Sequence, residues 1–195
     1  MARSFLFILL AVISATAGAQ GLSYNYFQGS YGSIDLDDSV IDTDGTGFGI
    51  SGSLALNENF HVTGEYQTAD MDFGIDLNLW EAHLGYNTNV SENLDFIAHI
   101  GYLRADIDAS GLGTDDDGFL IGGGVRAALN SNMELNGSLD YIDFDAGDSE
   151  MRANAGFLVG LTEDLSVGVR ASFWDDVNVY TINLRLNFDT GQRRR

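Results

Sequence analysis

The residues of this sequence that could bind a transition metal are its three histidines. His61, His83 and His99 each lie on the polar side of a segment in which apolar and polar residues alternate. If the turn between the last two of these segments centres near Ser91, His83 and His99 lie opposite each other on paired strands. Imidazole suits zinc, copper or nickel and could serve in acid–base chemistry. The sequence favours three hydrogen-bonded polar wall residues, and a metal site at His61, His83 and His99 is the alternative prediction.

Two carboxylates extend this patch. If the preceding loop centres near Phe73, Glu65 faces Glu81, and His61 lies diagonally from His83. Imidazole and carboxylate groups would then share one area of wall, as metal ligands often do.

A larger set of charged residues occupies the same polar sides. Charges of both signs in a narrow, poorly hydrated interior must pair. We therefore predict a network of salt bridges that fills the interior, with a charge-lined narrow pore as the alternative. Its members are Arg126, Arg152, Arg170, Arg185, Glu65, Glu81, Glu134 and Asp140.

Acidic residues are concentrated in the longer connections, at 34–44, 70–76, 106–118, 143–149 and 174–177. In the first of these, Asp42 and Asp44 lie close to two glycines and offer oxygen ligands to calcium or magnesium. A solvated, self-repelling acidic surface is the alternative reading. No other cofactor is predicted.

Composition excludes several classes of protein. There is no cysteine, so disulfide scaffolds, thiolate metal sites and cysteine nucleophiles are absent. The net charge of −20, with nine basic residues, argues against a nucleic-acid partner. No Ser-His-Asp arrangement is visible among the loops, and we predict that the chain is not an enzyme.

The elements that carry these side chains alternate with a period of two, which is typical of β-strands. The last one shows it most clearly: Tyr180, Ile182, Leu184, Leu186 and Phe188 alternate with Thr181, Asn183, Arg185 and Asn187. No segment of comparable length has a convincing helical period.

Tight turns separate the strands in pairs. Leu56–Phe60, Val90–Leu94, Leu129–Met133 and Leu161–Leu165 each place three polar turn formers between two apolar residues, as hairpin turns do. Together with the five acidic connections they predict ten strands, with eight as the alternative. The predicted spans are 22–33, 46–56, 60–69, 77–87, 94–105, 118–129, 133–143, 150–161, 165–174 and 178–188.

Strands of this length, with short turns at one end and long loops at the other, predict an all-β transmembrane antiparallel up-and-down β-barrel. A soluble β-sandwich also alternates, but its polar face should carry solvated Lys, Glu and Thr. Here the polar face carries Gly, Ser, Asn and isolated charges, which suit a narrow lumen, and the apolar face suits lipid.

The chain begins with an export signal. Arg3, the apolar run Phe5–Ile13 and Ala17-Gly-Ala19 form a signal peptide, with an uncleaved N-terminal anchor as the alternative. We therefore divide the chain into a signal peptide at 1–19, a barrel at 20–188 and a basic C-terminal tail at 189–195.

Several segments resemble one family: GLSYNY at 21–26, GFGISGSL at 47–54 leading into FHV at 60–62, LGYN at 84–87 and GVRAAL at 124–129. They are similar to the small outer-membrane barrel family of xanthomonads and related gammaproteobacteria, once proposed as an activator of plant immunity and a quorum signal. The chain also resembles OmpA-like and OmpX-like small barrels. The resemblance implies an outer-membrane location and no catalysis. Unlike the usual barrel ending, Phe188 is followed by further residues.

We thus expect a monomer in the bacterial outer membrane, in contact with lipid and lipopolysaccharide, with a structural role or a surface role through acidic loops that bind an extracellular ligand. A narrow channel for ions or small solutes is the second hypothesis, and a lumen metal site or outer-membrane enzyme is the third.

Overall fold

The chain forms one closed antiparallel β-barrel in which each strand pairs with its neighbours in sequence and the first pairs with the last. The computed structural model describes residues 22–37, 42–109, 112–146, 149–174 and 176–188. The predicted signal peptide and basic tail lie outside these residues, as do parts of the acidic connections. The prediction of ten strands in an up-and-down barrel is confirmed.

All of the strands except β9 run further toward the loops than the sequence predicted. Their bounds are β1 Tyr26–Asp37, β2 Asp42–Ala55, β3 Phe60–Met71, β4 Ile75–Ser91, β5 Leu94–Ala109, β6 Leu112–Asn130, β7 Met133–Phe144, β8 Ser149–Gly160, β9 Leu165–Trp174 and β10 Val177–Asn187. Acidic residues assigned to loops therefore continue the strand ladders, because backbone pairing does not depend on an apolar side chain. At the other end β1 begins at Tyr26 rather than residue 22.

Side-chain hydrogen bonds shape the tight turns. The Asn57 carboxamide oxygen accepts hydrogen bonds from the backbone N–H groups of Asn59 and Phe60, and the Thr162 hydroxyl accepts from those of Asp164 and Leu165. These are the local bonds for which Asn and Thr are favoured in turns.

The outside of the barrel is apolar and carries two belts of aromatic rings. The belt toward the loops contains Tyr31, Phe48, Trp80, Tyr102, Phe119, Tyr141, Phe173 and Tyr180, and the belt toward the tight turns contains Phe60, Tyr86, Phe96 and Phe188. Between them lie exposed aliphatic residues such as Leu84, Ile100 and Val169. Aromatic rings suit the two membrane interfaces, and aliphatic side chains suit the hydrocarbon between them.

The lumen differs between its two ends. Its middle is polar and charged, as predicted. Toward the loops it becomes apolar, with Leu79, Leu103, Leu120 and Ile142 packed into one buried cluster. The expectation of a polar face along the whole strand is therefore wrong for this level of the barrel.

The connection between β3 and β4 is a short turn at Asp72–Gly74. Its Phe73 has a φ of 65° and is 80% exposed at the loop end. Among the described residues, no helix is long and apolar enough to cross a membrane.

Candidate functional site in the barrel lumen

An arginine on β8 joins nearly opposite walls of the lumen. Arg152 Nη2 donates to Glu81 Oε2 on β4 at 2.9 Å, and Nη1 donates to the other oxygen of the same carboxylate. Its Nε donates to Asp140 Oδ2 on β7 at 3.0 Å. The Arg152 and Glu81 side chains are only 4% and 3% exposed. The lumen is therefore crossed at this level by a buried, bidentate ion pair.

Two further sets of ion pairs complete this central layer. Arg170 on β9 reaches Glu65 on β3 at 3.3 Å and also donates to Asn154. Toward the tight turns, Glu134 accepts two hydrogen bonds from Arg126, at 2.8 and 2.7 Å, and lies 3.5 Å from Arg185. Every charged side chain predicted for the lumen network thus takes part in an ion pair. We call these residues the charge layer.

The three histidines lie on the successive strands β3, β4 and β5, and we call them the histidine staircase. His61, His83 and His99 are each paired in register with a glycine on the next strand, namely Gly85, Gly101 and Gly122. A Cβ added to any of these glycines would collide with the ring of its paired histidine. The glycines therefore provide the space in which the imidazoles lie against the wall. Sequence reasoning missed this pairing.

The register brings His83 and His99 together, but diagonally rather than directly opposite. His83 pairs with Gly101 and His99 with Gly85, so the predicted direct opposition is wrong. The two rings nevertheless stack, with centroids 5.4 Å apart and planes within 9°. The predicted pairing of Glu65 with Glu81 is confirmed, and His61 lies one diagonal step from His83, as predicted.

Each imidazole already has a hydrogen-bond partner, and these partners differ. His83 Nε2 lies 2.9 Å from Glu81, His99 Nε2 lies 2.9 Å from Asp140, and His61 Nδ1 lies 3.1 Å from Asn87. Within the described ranges, no group of three or more histidine and acidic side chains could hold a metal ion. The arrangement suits a hydrogen-bonded wall, and metal binding by the three histidines stays a prediction.

The segment before β1 crosses the mouth of the lumen at the tight-turn end. The Tyr24 hydroxyl donates to Asp95 on β5 at 3.0 Å, and its ring lies 4.6 Å from the His61 ring. Arg126 donates to the Ser23 carbonyl at 2.9 Å, and its guanidinium lies over the Tyr24 ring. This cross-lumen segment was predicted to be strand. No periodicity in the sequence distinguishes it from one.

The acidic residues surround the loop end. Asp44 is exposed near the start of β2, whereas the side chain of Asp42 lies outside the described residues. On the outer surface, Arg104 contacts Asp106, Asp115 and Asp117 at 3.1, 2.8 and 3.5 Å. Binding of divalent cations by Asp42 and Asp44 stays a prediction.

In the part of the barrel that the structure describes, space remains in the lumen at three levels. A cavity of about 180 Å³ lies within the charge layer, and one of about 540 Å³ lies at the tight-turn end. A third, of about 490 Å³, lies between the charge layer and the loops and has mainly apolar walls.

A closed barrel with an apolar exterior, aromatic belts and a charged interior defines an integral outer-membrane protein. The outer membrane protein beta-barrel domain matches residues 5–187, and the chain belongs to that family. Its location is the bacterial outer membrane. No curated protein sequence matches the chain.

Solved structures share the fold at low sequence identity. The KdgM porin in complex with disordered oligogalacturonate is 10% identical with a TM-score of 0.50, over 84% of this chain and 99% of that one. The translocator domain of the autotransporter NalP from Neisseria meningitidis is 8% identical with a TM-score of 0.50, over 87% of this chain and 90% of that one. These likenesses concern the fold alone.

Proposed function

We propose that this chain is a non-conducting outer-membrane barrel that acts at the cell surface through its loop end, without catalysis. One observation carries the proposal: the Arg152–Glu81 pair joins nearly opposite walls in the middle of the lumen, and both side chains are almost fully buried.

An ion that passed this level would have to displace the guanidinium or the carboxylate. Breaking a buried pair leaves an uncompensated charge, which costs about 3–5 kcal/mol. The second closure, at Tyr24 and Ser23, lies on the same path toward the tight-turn end. Both features favour a closed lumen.

Planar bilayer recordings test this proposal. The wild-type protein should be silent, and the triple variant Glu81→Ala, Arg152→Ala and Tyr24→Ala should conduct, because it removes both halves of the crossing pair and the side chain that closes the tight-turn end. Arg104→Ala is the matched control, since Arg104 is on the outer surface and its removal should leave the bilayer silent.

A narrow channel is the second candidate, supported by the cavity of about 180 Å³ within the charge layer. Discrete conductance steps from wild-type protein would favour this candidate and overturn the closed barrel.

The loop end supports a surface role in two ways. Exposed aspartates surround it, and Phe73 projects from the β3–β4 turn in a backbone conformation that is strained for a residue other than glycine.

Acidic loops repel lipopolysaccharide phosphates unless divalent cations bridge them. EDTA should therefore lower the melting temperature in vesicles that contain lipopolysaccharide but not in phosphatidylcholine vesicles. The same melting temperature with and without EDTA in the lipopolysaccharide vesicles would contradict cation bridging.

Four further expectations belong to the same proposal. The signal peptide is removed after residue 19, the barrel is a monomer, an extracellular ligand binds at the loops, and the chain is a member of the small outer-membrane barrel family of xanthomonads and related gammaproteobacteria. N-terminal sequencing and native mass measurement of the purified protein test the first two.

A further inference from the structure

We propose that the loop half of the lumen is a binding site for a neutral molecule with a single alkyl chain. The site is the cavity of about 490 Å³ above the charge layer, which we call the apolar cup.

The walls of the apolar cup come from most of the strands. Its apolar lining includes Ile34, Leu36, Leu77, Val177 and Val179, and Trp174 closes one side. The buried cluster of Leu79, Leu103, Leu120 and Ile142 packs beside it, with Trp174 against the cluster. This part of the lumen is therefore packed on one side and open on the other.

The size of the apolar cup suits a ligand rather than a packing defect. An engineered apolar cavity of about 150 Å³ stays dry and binds benzene, and ligand pockets in proteins span about 300–1,000 Å³. At about 490 Å³ the apolar cup falls within this range. Water gains few hydrogen bonds against such walls, so an alkyl chain would replace it favourably.

The charges at either end favour a neutral ligand over an anionic one. Toward the loops the lining includes the acidic residues Asp116 and Glu150. At the base, Arg152 and Arg170 are already paired with Glu81 and Glu65. A carboxylate would meet repulsion at the entrance and no unpaired cation at the base.

The base still offers hydrogen-bond partners to a small neutral head group. Gln67, Ser172 and Thr181 line it beside the two arginines. The Ser172 and Thr181 hydroxyls donate to Asn154 and Asn183, and their oxygens keep lone pairs that can accept a hydrogen bond from the hydroxyl of a long-chain alcohol.

The two tryptophans permit a direct binding test. Trp174 lines the apolar cup, whereas Trp80 faces the lipid and is 53% exposed. In Trp80→Phe protein in lipid nanodiscs, Trp174 is the only remaining tryptophan. We expect bromoundecanol, whose terminal bromine quenches on contact, to reduce its emission in a saturable manner. Bromoundecanoate should bind more weakly because of its charge.

A pair of substitutions in the apolar cup gives the specific test. Leu77→Gln with Val179→Gln should weaken binding by about tenfold or more, because both substitutions replace apolar contact with the alkyl chain, and the apolar contact of one methylene is worth about 10–200-fold in binding. Ile97→Gln is the matched control, since Ile97 faces the lumen in the charge layer instead. If the double variant does not fold, Val179→Gln alone replaces it.

Unsaturable quenching in the Trp80→Phe protein would overturn the proposal, as would equal quenching in the apolar-cup variant. Saturable quenching would also be absent if the chain's own loops occupied the apolar cup, and that result would likewise overturn the proposal. Equal or tighter binding of bromoundecanoate would contradict the neutral ligand.

Discussion

Removal of the Arg152 guanidinium should destabilise the barrel more than removal of any other arginine whose environment is described. Arg152→Met keeps much of the side-chain volume but deletes the contacts with Glu81 and Asp140. Two carboxylates then remain in the middle of the lumen, 3% and 2% exposed, without their cation. Loss of one partner from such a buried pair costs about 3–5 kcal/mol.

Arg170→Met supplies the graded comparison. Its side chain is 28% exposed, and its contacts with Glu65 are 3.3 and 3.4 Å long, so water can replace part of the interaction. We expect a loss of about 1–2 kcal/mol. Arg104→Met should give no measurable change, because Arg104 lies on the outer surface among solvated aspartates.

Equilibrium urea unfolding in lipid vesicles, followed by tryptophan emission, measures these differences. A triple variant, Arg152→Met with Glu81→Gln and Asp140→Asn, should recover most of the loss because no buried carboxylate is left unpaired. The reasoning fails if Arg152→Met unfolds at the same urea concentration as Arg170→Met, or if the triple variant is no more stable than Arg152→Met.

Further predictions concern the wall, the histidine staircase and metal. The folded protein should migrate differently from the boiled protein in SDS gels, because the closed ladder leaves no unpaired strand edge; equal migration would argue against the barrel. Leu84→Arg should cost about 2–4 kcal/mol in vesicle unfolding if this exposed residue lies near the bilayer midplane. Gly101→Ala should cost about 1–3 kcal/mol, because its Cβ would meet both the His83 ring and the Ala82 carbonyl oxygen. Gly64→Ala on the lipid side has room and should unfold like wild type. Zinc should leave the melting temperature unchanged, since His83 and His99 already bond to separate carboxylates; a rise abolished by His83→Ala would instead establish a metal site.

The sequence was informative about the fold because lipid and lumen impose opposite polarities on successive residues. Phe48, Ile50 and Leu54 face lipid while Ser51 and Ser53 face inward, as a period of two requires. The bounds at the loop end were less accurate, since Asp115 and Asp117 continue a strand although they carry no apolar signal.

The apolar loop half of the lumen corresponds to a feature of the sequence that is hard to see within the alternation of apolar and polar residues. At Leu79-Trp80, Tyr102-Leu103 and Tyr141-Ile142, two neighbouring residues are both apolar, one facing lipid and one facing the lumen. Such doublets at corresponding heights on several strands indicate an apolar lumen. An isolated doublet carries no such information, because it also occurs by chance.

What the sequence determined by itself is the face that each side chain occupies. The second tight turn shows why: the β4–β5 ladder centres on Glu92 rather than on the predicted Ser91, so the partner of each β4 residue lies two residues further along β5 than predicted. A shift of two leaves every residue on its own face, so His83 and His99 still face the lumen. Which residues touch across the lumen was decided only by the tertiary structure. Arg152 meets Glu81 because barrel closure and strand tilt bring β8 and β4 to one height, and no local pattern in either strand encodes that height.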